Sequence, residues 1–180
     1  MKQFLAIYLV HFSLVSLAQP IEEIRKTFHH ALLHPEETEA YHDYIQAFEG
    51  DHPAIIAYQA IGKVMMAKEH WNPVMKLSYV KQYDALITEA IQIAPDNLEI
   101  RFLRFAVEYE LPKILMMSDH LLEDRDFIVA NMHNAHELDL DPGFTRYISW
   151  FMNHTGLLEP DQLTLMETSL SYPTTEGASR

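Results

Sequence analysis

Residues 40–65, AYHDYIQAFEGDHPAIIAYQAIGKVM, decide the fold. Ala40, Tyr44 and Ala47 recur at steps of four and three, and Tyr58, Ile61 and Met65 follow at steps of three and four. Side chains three and four apart share one face of an α-helix, so two amphipathic helices are expected here, the second opening at Pro53. Gly62 sits inside the second helix, where glycine costs about 1 kcal/mol against alanine; its reading is a close helix crossing.

Working outward, the same periodicity predicts helices over residues 20–33, 36–49, 53–69, 73–93, 96–110, 119–138, 142–155 and 160–170. Pro20, Pro53, Pro73, Pro95, Pro112, Pro142 and Pro160 fall where these helices begin or end. No segment alternates apolar and polar residues between Asn-Gly or Asp-Gly turns, so the expected class is all-α. Residues 73–93 present Leu77, Val80, Tyr83, Leu86, Ile87, Ala90 and Ile91 as one face, and residues 97–110 present Ile100, Leu103 and Val107. Most of the methionines fall on such apolar faces and read as core filling.

The small-aromatic-small spacing of Ala40, Tyr44 and Ala47, followed by Tyr58, Ile61, Gly62 and Met65, resembles the tetratricopeptide (TPR) helical-repeat family. Tyr83, Ile87 and Ala90 return to the pattern with a large first residue, and Pro95 closes it. The resemblance covers residues 36–95, with about nine extra residues centred on Trp71-Asn72-Pro73, and loosens over 96–142, where Arg104 stands at a usually aliphatic position. It implies antiparallel helical hairpins stacked as a short, irregular right-handed array, with residues 142–170 capping the stack. It also implies a non-enzymatic scaffold that binds a protein or peptide. The Trp-Asn-Pro and Asn-Leu-Glu-Ile-Arg-Phe-Leu-Arg-Phe segments are in addition similar to those of small exported bacterial proteins, a likeness that carries no activity with it.

Lys2, the apolar run from Phe4 to Leu17 and the small residues Ser16 and Ala18 read as a secretory signal peptide over residues 1–18. The run is shorter than a membrane span and is followed by Pro20 and the charged stretch from Ile21 to Lys26. The expectation is an exported protein, periplasmic or secreted, with one helical domain over 19–170, no membrane span in the mature chain and a frayed tail over 171–180. There is no cysteine, which excludes disulfides, thiol catalysis and cysteine zinc sites. A net charge of -13 repels phosphate backbones, and no basic patch is present, so nucleic acid is not an expected partner.

Eleven histidines raise the question of metal. His30 and His34 are four apart, His133 and His136 three apart, and Glu37 and Glu137 are within sequence reach, but there is no His-Glu-x-x-His motif. Surface histidines explain the pattern equally well, and no metal or cofactor is expected. The acidic pairs Glu22 and Glu23, Glu36 and Glu37, and the group Glu123, Asp124 and Asp126 read as helix-start or solvated charges. Without a nucleophile elbow, phosphate loop or Ser-x-x-Lys, no enzyme is expected.

The candidate binding residues are Trp71, Asn72, Lys76, Arg101 and Arg104. Asn72 can cap, and Pro73 can open, the helix that follows. In one reading Trp71 pins the hairpin while Arg101 and Arg104 pair with Glu99, Glu108 or a neighbouring helix. In the other, Trp71, Lys76 and the two arginines edge a groove for an acidic peptide terminus or another anion. The alternative function is a small-ligand or metal-binding module using the histidines or the arginine face.

Overall fold

The computed structural model describes residues 18–110, 119–138, 140 and 142–170, and every regular element among them is helical. The expected signal peptide up to Leu17, the tail from residue 171, and Pro112, Met116 and Met117 lie outside the described residues. The elements are α1 (Ala18–Leu33), a 3-10 turn (Pro35–Glu37), α2 (Thr38–Gln46), α3 (Pro53–Glu69), α4 (Pro73–Ile93), α5 (Leu98–Glu110), α6 (Leu121–Asn131), a 3-10 helix (Met132–Leu138), α7 (Pro142–His154) and α8 (Pro160–Leu170). The all-α class expected from the periodicity is the class observed. No described helix is long and apolar enough to cross a membrane. The chain divides between Ile93 and Ala94 into two compact units within the span expected for one domain.

In the first unit α3 and α4 form the most extensive helix pair, α2 lies on α3, and α1 packs on both α2 and α3. α3 has 17 residues and α4 has 21. Phe28 of α1 meets the rings of Tyr41 and Tyr58 at 5.9 and 5.4 Å, and the buried Tyr41 hydroxyl donates to the Tyr58 carbonyl at 3.4 Å. Burial pushes the Tyr41 phenol far above its ordinary pKa, so it stays a neutral donor.

Gly62 lies where α2 and α3 approach. A Cβ there would sit 3.1 Å from Ile45 Cγ2 and 3.7 Å from the His42 Cα, so a side chain larger than a methyl does not fit. Gln59 fastens the end of α2 nearby, its amide donating to the Ile45 carbonyl at 3.3 Å and the Phe48 carbonyl at 2.9 Å. Gln46 returns a bond to the Gln59 carbonyl at 3.2 Å. These bonds satisfy carbonyls that the helix end leaves without a partner.

The second unit pairs α5 with α6, and α8 touches α6, α7 and the 3-10 helix. Phe102 of α5 is ringed edge-on by Phe144, Tyr147 and Phe151 at 5.6 to 5.9 Å. Such edge-to-face contacts add to the burial of Ile128, Met132, Ile148, Met152 and Met166 in the same core. The segment expected as one helix over 119–138 tightens to 3-10 geometry after Asn131.

Gly62→Ala should leave stability nearly unchanged, because about 1 kcal/mol of helix propensity offsets the tight Ile45 contact. Gly62→Leu should cost about 1–3 kcal/mol by overpacking, read as a shift in urea midpoint at constant slope.

Candidate functional site

The expected site residues fall into two groups, one in each unit. Trp71, Asn72 and Lys76 share the turn between α3 and α4. Asn72 Oδ1 accepts the Val74 amide at 2.9 Å, which caps α4, and the Asn72 amide donates to His70 Nδ1 at 3.1 Å. Lys76 reaches back to donate to the Lys68 carbonyl at 3.3 Å, placing its charge at the negative end of α3. Two of the three residues therefore build the turn. Trp71 does not: it is 86% exposed, and its described ring contact is a near-parallel one with His70, centroids 6.4 Å apart. The reading in which Trp71 pins the hairpin is replaced by a turn held by Asn72, His70 and Lys76, with the indole presented to solvent. Val74 and Leu77, at steps of three beyond it, are also exposed.

Arg101 and Arg104 turn inward toward α6. Asn97 Oδ1 accepts the Ile100 amide at 3.1 Å and caps α5, which sets the register that places both arginines on the α6 side. Arg104 grips Asp124 in two bonds, Nε to Oδ2 at 2.6 Å and Nη2 to Oδ1 at 2.8 Å. Arg101 Nη1 donates to Asp124 Oδ1 at 2.7 Å and Glu123 Oε1 at 2.6 Å, while its Nε donates to the Pro95 carbonyl at 2.9 Å. Its guanidinium also lies 4.8 Å over the Phe127 ring. Asp124 has no solvent exposure, so three charge-assisted bonds converge on one buried carboxylate.

The ionisation of the neighbours follows. Burial opposes the charge on Arg101, but its hydrogen bonds to Glu123 and Asp124 outweigh that and raise its pKa. The same bond from Arg101 holds the Glu123 carboxyl below its ordinary value, against slight desolvation. One turn along α5, burial pushes Glu108 up, although the His120 amide donates to Oε2 at 3.1 Å, its ring Nδ1 lies 3.0 Å from Oε1, and Arg104 adds a favourable charge.

The pairing across helices is one that the sequence leaves open, but the acceptor differs from the expectation. Asp124 is not a solvated helix-start charge. It lies four residues before the buried Ile128 and three after Leu121, so it occupies the inward stripe of α6, and that spacing is the signal that identifies it. The two arginines spend four of their nitrogens on Asp124, Glu123 and the Pro95 carbonyl and are largely buried, which leaves little of them to face an anionic ligand.

The histidine pairs give less. The rings of His30 and His34 stack at 4.4 Å, with Glu37 3.0 Å from one Nδ1 and Glu36 3.4 Å from the other. No group of three or more histidine or carboxylate side chains among the described residues is arranged to hold a metal ion, and the His136 side chain lies outside them. Comparison with family models, with curated proteins and with solved structures finds no match to the chain.

Asp124→Ala should destabilise the protein by about 3–5 kcal/mol, since it leaves two guanidinium groups facing a buried gap; chemical denaturation reads this. The folded-state pKa of Glu123 is depressed, so its contribution is present above the unfolded carboxyl value and is lost as pH falls through the folded one. Glu123→Gln should therefore make the melting temperature fall less steeply in acid than it does in the parent chain.

Proposed function

We propose that this chain is an exported, non-enzymatic helical module, stacked in TPR-like hairpins, that binds a protein or peptide through the end of the α3–α4 hairpin. The observation that carries this reading is the row Trp71, Val74 and Leu77: three large apolar side chains, 86%, 74% and 50% exposed, beside a turn fixed by its own hydrogen bonds. Tryptophan in a contact surface contributes a large rigid area at small entropic cost, and truncating such an anchor removes 2 kcal/mol or more, roughly thirtyfold in affinity. A preformed turn lowers the ordering cost of that contact further. The partner would offer an apolar recess for the indole, with polar contacts at its rim for Asn72 and Lys76.

The alternative built on Arg101 and Arg104 is not favoured, because their donors already meet Asp124 and Glu123. A net charge of -13 repels phosphate backbones, so the proposed partner is not a nucleic acid.

The test uses immobilised full chain against extract of the exported fraction of the source cells. Trp71→Ala should leave the melting temperature unchanged and reduce partner capture by roughly thirtyfold, while Trp150→Phe, at an exposed tryptophan of α7 in the second unit, should leave capture intact. Equal capture by the Trp71→Ala chain would overturn the proposal.

A further inference from the structure

A line of three polar side chains crosses from α2 to α3. The Lys63 amine of α3 donates to His42 Nε2 of α2 at 3.1 Å, and His42 Nδ1 lies 3.2 Å from Asp43 Oδ1. The carboxylate accepts the Nδ1 proton and so fixes the tautomer in which Nε2 is the free acceptor. The described partner of Lys63 is thus an imidazole nitrogen and not a carboxylate. Gly62 precedes Lys63, and its missing side chain lets the His42 backbone approach to 3.7 Å of the position a Cβ would take. The close crossing that Gly62 permits is therefore also what seats the imidazole on the amine. The Tyr79 ring of α4 stands T-shaped to the His42 ring, centroids 6.2 Å apart, so an aromatic ring borders the imidazole. Lys63 is only half-buried.

We propose that Lys63 is a carbonyl-condensing amine, with His42 as its proton carrier and Asp43 as the residue that positions the imidazole. Burial lowers the Lys63 pKa, which enlarges the fraction of free amine beyond that of a solvated lysine. The steps balance without any further reagent. The Lys63 ammonium passes a proton to His42 Nε2, and the amine lone pair attacks the carbonyl carbon of an aldehyde or ketone. The C–N bond forms, and a proton moves from nitrogen to oxygen to give the carbinolamine. The imidazolium then returns its proton to the hydroxyl, the C–O bond breaks, water leaves, and the protonated imine remains. A chain of net charge -13 disfavours anionic electrophiles, so the carbonyl compound is a small neutral one. With no cysteine in the chain, no thiol competes for it.

The experiment treats the full chain with propanal and cyanoborohydride and follows N-propylation of each lysine by peptide mass spectrometry. Lys63 should be labelled several-fold faster than the exposed Lys26, Lys76 and Lys81. His42→Ala should bring Lys63 down to their rate, and Asp43→Asn should lower it partway without changing the circular dichroism spectrum. Should His42→Ala fail to fold, His42→Gln replaces it. Labelling of Lys63 no faster than that of Lys81, or a rate unaffected by loss of the imidazole in a folded variant, would overturn the proposal.

Discussion

Taking a carboxylate out of water costs several kcal/mol, and Asp124 recovers that cost by accepting three hydrogen bonds from two arginines of the facing helix. This exchange fixes α6 against α5 in the second unit. It sets which face of α6 turns inward, and with that face go Ile128 and Val129, which share a core with Phe102 and Phe105. A hydrophobic pair at the same place would bury as much surface but would tolerate sliding of one helix along the other. The paired forks of Arg104 and Asp124 accept one register. In the first unit the constraint described at the α2–α3 crossing is steric, a glycine whose neighbours leave no room for a side chain larger than a methyl. Both devices serve a chain that has no cysteine with which to staple its helices.

Much of this was legible in the residues because helical periodicity is local. Steps of three and four place α3, α4 and α8 to the residue at one or both ends, and the prolines at positions 53, 73, 142 and 160 each stand at a helix start. The departure at Asn131 was not legible, since the shift from α to 3-10 geometry depends on what the carbonyls meet in the folded chain and leaves no periodic trace. Burial of a charge was also missed. Asp124 reads like Glu123 beside it when only charge and helix position are considered, yet one is fully buried and the other 58% exposed. The apolar stripe of Leu121 and Ile128 separates them. His42 and Lys63 were passed over for a different reason: they lie 21 residues apart on different helices, and no short motif joins them.

The division between structural and available side chains follows the same physics. Of the five residues singled out from the sequence, Asn72 and Lys76 satisfy backbone groups at a turn, and Arg101 and Arg104 neutralise Asp124. Each is a polar group whose hydrogen-bonding capacity is largely consumed inside the fold. Trp71 alone has its large apolar surface in water, an unfavourable position that the rest of the turn enforces by keeping its own bonds closed. The polar residues that looked like recognition elements thus hold the scaffold, and the apolar one is left for recognition.

The account stands most directly on the coupling between Arg104 and Asp124. A double-mutant cycle using Arg104→Met, Asp124→Leu and the combined chain, with unfolding free energies from urea denaturation, isolates that term. The two single substitutions should each cost several kcal/mol, and the double should cost less than their sum by about 2–3 kcal/mol, because two matched apolar groups replace a matched pair of charges. Additivity of the two single effects to within about 0.5 kcal/mol would contradict a buried ion pair that closes the second unit.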